Sequence, residues 1–312
     1  MKLKITLIVL LPLLLVGVVQ DTFGQQEPQF TQYMYNTQVI NPAYAGSRGS
    51  LAVFGLYRTQ WVGLDGAPKT ANFSINSPIG VRGVGVGLGV MNDQIGPQES
   101  TQVTADISYT VQLNDRGLQL AFGMKGGVNM MDIDGEKLNW YDPNDPSYHF
   151  IVRHTSKPVI GAGFFLYDEN WYVGLSTPNF LTTSYYDDVK VSVYNSKAHF
   201  YLSGGYVFNI SDNFKLKPAA ILKMVSGAPL SGDVSLNALF ADTFTVGAGY
   251  RWDANSTLNG MAGFQITNQL MVGYAYDFQT GNLSHYNSGS HEIFLRFELG
   301  TRYKSRVNPR FF

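Results

Sequence analysis

The sequence predicts an all-β protein: a closed antiparallel transmembrane β-barrel of about fourteen strands with a short periplasmic N-terminal segment. Three observations lead there. A leader sends the chain out of the cytoplasm, long segments alternate polar and apolar residues, and only 14% of residues are charged, against ~25% in soluble domains. Glycine, at 33 of 312 residues, exceeds its usual ~7% share, and with abundant Tyr and Phe it suits strands that face lipid.

The leader comes first. Lys2 and Lys4 precede an apolar run over residues 5–19, and Thr22-Phe23-Gly24 follows at cleavage spacing, the pattern of a secretory signal peptide. The run is shorter than the ~20 apolar residues of a spanning helix. Residues 1–24 are therefore expected to be removed and the mature chain to start near Gln25. Loss of Lys2, Lys4 and Asp21 from 22 basic and 23 acidic residues leaves the mature chain near neutrality, so nothing recruits nucleic acid. Cysteine is absent, which excludes disulfides and thiolate metal sites. No linker divides the remainder, which reads as an N-terminal periplasmic or luminal segment over 25–49, one barrel over 50–303 and a periplasmic tail over 304–312.

Val103, Ala105, Ile107, Tyr109 and Val111 alternate with Gln102, Thr104, Asp106, Ser108 and Thr110, a strand with one apolar and one polar face. The next segment repeats this with Leu120, Phe122, Met124, Val128 and Met130 against Gln119, Lys125 and Asn129. Both outrun the ~5–6 residues of a soluble strand and match the ~9–11 of a tilted membrane strand. Such segments begin near Leu51, Thr70, Gly83, Ser100, Gly117, Lys157, Asn170, Lys197, Asn213, Gly232, Thr243, Thr257, Gln269 and Ser290. Three are less clean: residues 51–60, 159–167 and 198–208 mix apolar side chains into both faces.

The connections give an independent check. Those at 79–82, 114–117, 168–170, 211–213, 241–242 and 267–269 are short, whereas those at 131–156, 178–196 and 279–289 are long. Outer-membrane barrels have short periplasmic turns and longer outer loops, so both termini are expected in the periplasm. Hydrocarbon demands closure, because an open edge leaves backbone groups unpaired at a cost of several kcal/mol each. Trp61, Trp171 and Trp252 fall near strand ends, as an interfacial girdle requires, while Trp140 lies mid-loop. A secreted β-sandwich also alternates, but strand length, low charge and loop parity favour the barrel.

Candidate chemistry is sparse. The five His residues lack metal-like or triad-like spacing, and neither a Gly-x-Ser-x-Gly elbow nor a His-Glu-x-x-His helix is present; no enzyme activity and no cofactor are expected. The loop "DIDGEKLNWYDPNDP" concentrates Asp132, Asp134, Asp142 and Asp145, hard oxygen ligands of the kind Ca²⁺ takes. It lacks full EF-hand spacing, and Asp-Gly and Asp-Pro also form turns. With Trp140, Tyr141 and Asn144, and with Tyr185, Tyr186, Asp187 and Asp188 in the next long loop, these residues are candidates for partner contact. On the polar faces Lys125, Lys215, Lys217, Lys223, Arg251 and Arg296 stand against Asp106, Asp277, Glu292 and Glu298, a lumen that either conducts polar solutes or pairs its own charges. Gly85, Gly87 and Gly89 would thin one strand of the wall.

"FTQYMYNTQVINPAYAGS" after a signal peptide resembles the N-terminal signature of the PorP/SprF family of outer-membrane proteins of the type IX secretion and gliding system. "DPNDP" in a long loop, "GSHEIFL" opening the last strand and terminal "NPRFF" are similar to further hallmarks of that family, in the expected order. The chain ends Arg310-Phe311-Phe312 where the family pattern has Arg-Tyr-Phe. The resemblance implies a non-enzymatic barrel in the bacterial outer membrane. It would bind, and help secrete or anchor, a large surface protein or adhesin through a type B C-terminal signal domain, alongside periplasmic ring lipoproteins and a peptidoglycan-binding partner. The alternative is a fourteen-stranded transporter or porin for small or hydrophobic solutes. In the N-terminal signature, Phe30, Tyr33, Met34 and Thr37 are expected on one side of a two-turn helix, with Asn41-Pro42 setting a turn before Tyr44. This stretch would plug the lumen or serve as a docking handle.

Overall fold

A computed structural model of the chain describes residues 27–80, 83–134, 137, 155–181, 183–184, 195–253 and 256–299. Fourteen antiparallel strands follow one another around a closed barrel. They are β1 (Leu51–Thr59), β2 (Lys69–Ile79), β3 (Val84–Ile95), β4 (Gln98–Gln112), β5 (Gln119–Ile133), β6 (Thr155–Tyr167) and β7 (Trp171–Thr177). The circuit continues with β8 (His199–Tyr206, resuming as Phe208–Ser211), β9 (Phe214–Val225), β10 (Ser231–Phe240), β11 (Phe244–Trp252), β12 (Thr257–Gln265), β13 (Leu270–Gln279) and β14 (Ser290–Leu299). Closure is made by β1 against β14, from Leu51 opposite Leu299 to Thr59 opposite His291. The strands begin within two residues of the positions the alternation predicts.

Burial is inverted relative to a soluble protein. Ile107, Met124 and Leu88 are 56%, 62% and 60% exposed, while Asp106, Ser108 and Lys125 on the opposite faces of the same wall are 4%, 2% and 4% exposed. That combination fits a barrel with lipid outside and a polar, filled interior. The short connections gather at one end of the barrel with the start of β1 and the finish of β14, and the long ones at the other. β8 is broken at Val207, which is buried and donates its N–H to the Asn170 carbonyl at 2.7 Å. A two-residue pairing of Thr183–Ser184 with Asn195–Ser196 stands apart from the barrel sheet.

Residues 27–50 run inside this wall. The predicted two-turn helix is not what forms. Residues 31–35 make turns, a single helical turn α1 spans Thr37–Ile40, and a 3₁₀ turn spans Pro42–Tyr44. The reason is local. Proline disfavours the helical region for the residue before it, and Asn41 is extended at φ −136°, ψ 107°, its side chain accepting from the Ala43 N–H at 3.0 Å. Moreover, residues 30–38 are buried on every side, so the segment has no solvent face for an amphipathic helix to present.

Candidate functional site

The lumen and the segment within it form the most elaborately built part of the molecule. Phe54, Leu56, Tyr201, Ile221, Met261, Met271 and Phe294 of the wall pack with Tyr33, Met34, Tyr35 and Ile40 into an apolar core inside the barrel. The Tyr35 ring lies 4.8 Å from that of Phe294, which stacks in turn on Phe54 at 5.2 Å. A second cluster joins Ala43 and Tyr44 to Ala121, Phe165, Tyr167 and Tyr172.

Toward the long-connection end the segment is seated on charge. The backbone N–H groups of Thr31 and Gln32 donate to the two carboxylate oxygens of Glu292 at 2.9 and 2.8 Å. The Thr31 hydroxyl donates to Asp277 at 2.7 Å and accepts from Arg58 at 3.0 Å. Arg58 pairs with both Asp277 (2.7 Å) and Glu292 (3.2 Å), and Arg251 with Asp277 (3.3 Å) and Asp233 (3.2 Å), while also donating to the Phe30 carbonyl at 3.3 Å. Two cations, Arg58 and Arg251, thus face three carboxylates, Asp233, Asp277 and Glu292, around a threonine. Charge-assisted hydrogen bonds of this kind are the strong ones.

Further along, amide side chains join smaller groups of charges. Asn36 donates to Asn72 at 2.6 Å and accepts from Ser74 at 3.1 Å. Gln38 donates to Asp106 at 2.9 Å and accepts from Asn76 at 3.0 Å. Lys125, 3.7 Å from Asp106, donates to the carbonyls of Gln38 and Val39 within α1. Asn41 reaches the Phe164 carbonyl at 3.0 Å, and Ser108 donates to Ala45 O at 2.7 Å. At the short-turn end Arg48 pairs with Glu298, which also meets Arg296 at 3.0 Å.

The wall is shaped to admit the segment. A Cβ on Gly123 would overlap the Ala43 nitrogen, and one on Gly85 would overlap the Ala45 carbonyl. Gly85 and Gly87 therefore do not merely thin the wall, as the sequence suggested; they make room for Ala45 and Gln38.

Phe30, Tyr33, Met34, Asn41, Pro42 and Tyr44 all lie in the lumen and are buried. Trp140, Tyr141, Asp142, Asn144 and Asp145, and Tyr185, Tyr186, Asp187 and Asp188, lie outside the described residues, as do "DPNDP" and the tail over 304–312. Of the Ca²⁺ candidates, Asp132 is the penultimate residue of β5 and Asp134 pairs with Lys137 at 3.6 Å; Asp142 and Asp145 fall outside the described residues, and among the described residues no group of three metal-type ligands assembles. The sequence reading missed Arg58, Asp233, Thr31, Gln32, Gln38 and Arg48. A signal was available for Arg58, since it ends the inward set Ala52, Phe54, Leu56 of β1.

An antiparallel barrel with an apolar exterior and a polar, filled interior is an outer-membrane β-barrel protein. Over residues 22–297 the sequence matches the family described as type IX secretion system membrane protein PorP/SprF, and the chain belongs to that family. No curated protein matches the sequence. Among solved structures, Omp33 of Acinetobacter baumannii is similar at 11% identity and TM-score 0.48, over 80% of this chain and 98% of that one. The monoaromatic hydrocarbon channel CymD (15% identity, TM-score 0.48, 90% and 96%) and the Ralstonia pickettii toluene transporter TbuX (8%, 0.48, 83% and 91%) are similar to the same degree.

Proposed function

We propose that this protein is a non-enzymatic, plugged barrel of the type IX secretion system that binds a large secreted surface protein or adhesin through its type B C-terminal signal domain, helping to secrete or anchor it. The single observation that carries this reading, beside family membership, is the filled lumen. Thr31, Gln32, Gln38 and Asn41 are hydrogen-bonded to the wall over most of its circumference. A porin needs a water-filled path, and here the lumen is occupied by the segment. In this reading residues 1–24 are a signal peptide, residues 25–49 a plug, and the short turns and the tail over 304–312 face the periplasm, within reach of ring lipoproteins and a peptidoglycan-binding partner. The long connections, including Trp140–Asp145 and Tyr185–Asp188, face outward and contact the cargo. Affinity isolation of the tagged chain from native outer membranes, with mass spectrometry of what accompanies it, tests the reading. A stoichiometric large surface protein is expected; recovery of the barrel alone under mild solubilisation would shift the assignment to a small-solute transporter.

A further inference from the structure

We propose that the plug is threaded through the barrel along its whole height, so that its first described residues, Glu27 to Gln29, stand at the long-connection mouth and the mature chain begins at that mouth rather than at the short-turn end. The sequence reading placed the mature N-terminus beside the C-terminus at the short-turn end, a strand's length away.

The contacts of the segment give its depth residue by residue. Glu27 accepts from the Tyr201 hydroxyl at 3.1 Å, approaches His199 at 3.7 Å, and offers its carbonyl to Lys223 at 3.5 Å. His199 and Tyr201 open β8 and Lys223 nearly closes β9, all at the long-connection end. Phe30 and Thr31 engage Arg58, Arg251, Asp277 and Glu292, each within three residues of that same end of its strand. Asn36 and Gln38 then meet the middle of β2 and β4, Asn41 the lower part of β6, and Arg48 the penultimate residue of β14. The descent is monotonic. It ends at Ser50, where β1 begins at the short-turn end. Glu27, Pro28 and Gln29 are only partly buried while Thr31 to Gln38 are buried, as expected for a tip that reaches a mouth.

That the mouth faces the cell exterior rests on the orientation proposed above, and the experiment separates the two claims. The chain has no cysteine, so paired substitutions report without background. A short bis-maleimide should join Glu27→Cys to Lys223→Cys and not to Arg116→Cys, which sits in the exposed short turn between β4 and β5. Cross-linking to position 116, or none to 223, would overturn the threading. Labelling of Asp65→Cys and Arg116→Cys on intact cells, with a maleimide too large to cross the outer membrane, reads orientation alone. Asp65→Cys should react on intact cells and Arg116→Cys only after lysis. The reverse result would refute the orientation while leaving the threading to the cross-link.

Discussion

Glu292 shows how much rests on one side chain. It is buried, it receives two backbone N–H groups of the plug, and it shares Arg58 with Asp277. Truncation would leave two buried donors unsatisfied and take from Arg58 one of its two carboxylate partners, and breaking a buried pair costs ~3–5 kcal/mol. Glu292→Ala should therefore lower the unfolding free energy of the detergent-folded barrel, read from its urea transition, by about that much and open residues 27–50 to protease; Glu292→Gln, which keeps an acceptor without the charge, should fall between. Gly123 is the complementary case, where nothing can be added. In Gly123→Val the side chain would overlap the Pro42–Ala43 backbone. The expected outcome is a folded barrel, still shifting in electrophoresis on heating, whose plug is displaced and which leaks small solutes. Both residues lie in the lumen, yet only Glu292 stood out in the sequence, because a buried carboxylate needs a partner and a glycine needs a neighbour whose identity the chain order hides.

Among the elements, β1, β6 and β8 carry the instructive irregularity. They are the strands whose two faces both read as apolar, and the structure gives the cause. Phe54 and Leu56 of β1, Phe165 and Tyr167 of β6, and Tyr201 of β8 face the lumen and are covered by the plug or packed in its clusters. Mixed alternation thus marks the wall against which the plug lies. β4 keeps strict alternation because its lumen face meets the polar side of the plug through Asp106 and Ser108. Its outer face supplies a test of the membrane assignment. Ile107 is exposed at the middle of the strand, and Arg at a bilayer midplane costs ~2–4 kcal/mol. Ile107→Arg should lower folding stability in lipid vesicles by that order; a stability unchanged by the substitution would argue against lipid contact at this position. The plug's own secondary structure was not legible, since wall contacts, rather than an amphipathic period, decide where it turns.

At the scale of the molecule, the plug makes barrel and lumen one folded unit. Two apolar clusters and a charge cage lie where a porin has water. Liposomes bearing the intact chain should swell in small sugars little faster than empty ones, and deletion of residues 26–41 should raise the rate markedly; an unchanged rate after deletion would sink the sealing role. The two sequence hallmarks at opposite ends of the chain also acquire a shared purpose. Thr31 and Gln32 of "FTQYMYN" bind Glu292 of "GSHEIFL", across a sequence separation of about 260 residues.

The sequence by itself determined the barrel, its strand number, the parity of its connections and its family, because a period of two and the length of a membrane strand are properties of consecutive residues. It also showed that the N-terminal stretch was neither strand nor ordinary leader. Tertiary structure alone decided what that stretch does: which carboxylate holds it, which glycines admit it, and that it passes through the barrel toward the opposite mouth. Each of those depends on inward-facing residues drawn from nine or more strands meeting in one lumen, and the distance between them in space is set by closure of the barrel, to which local pattern is blind.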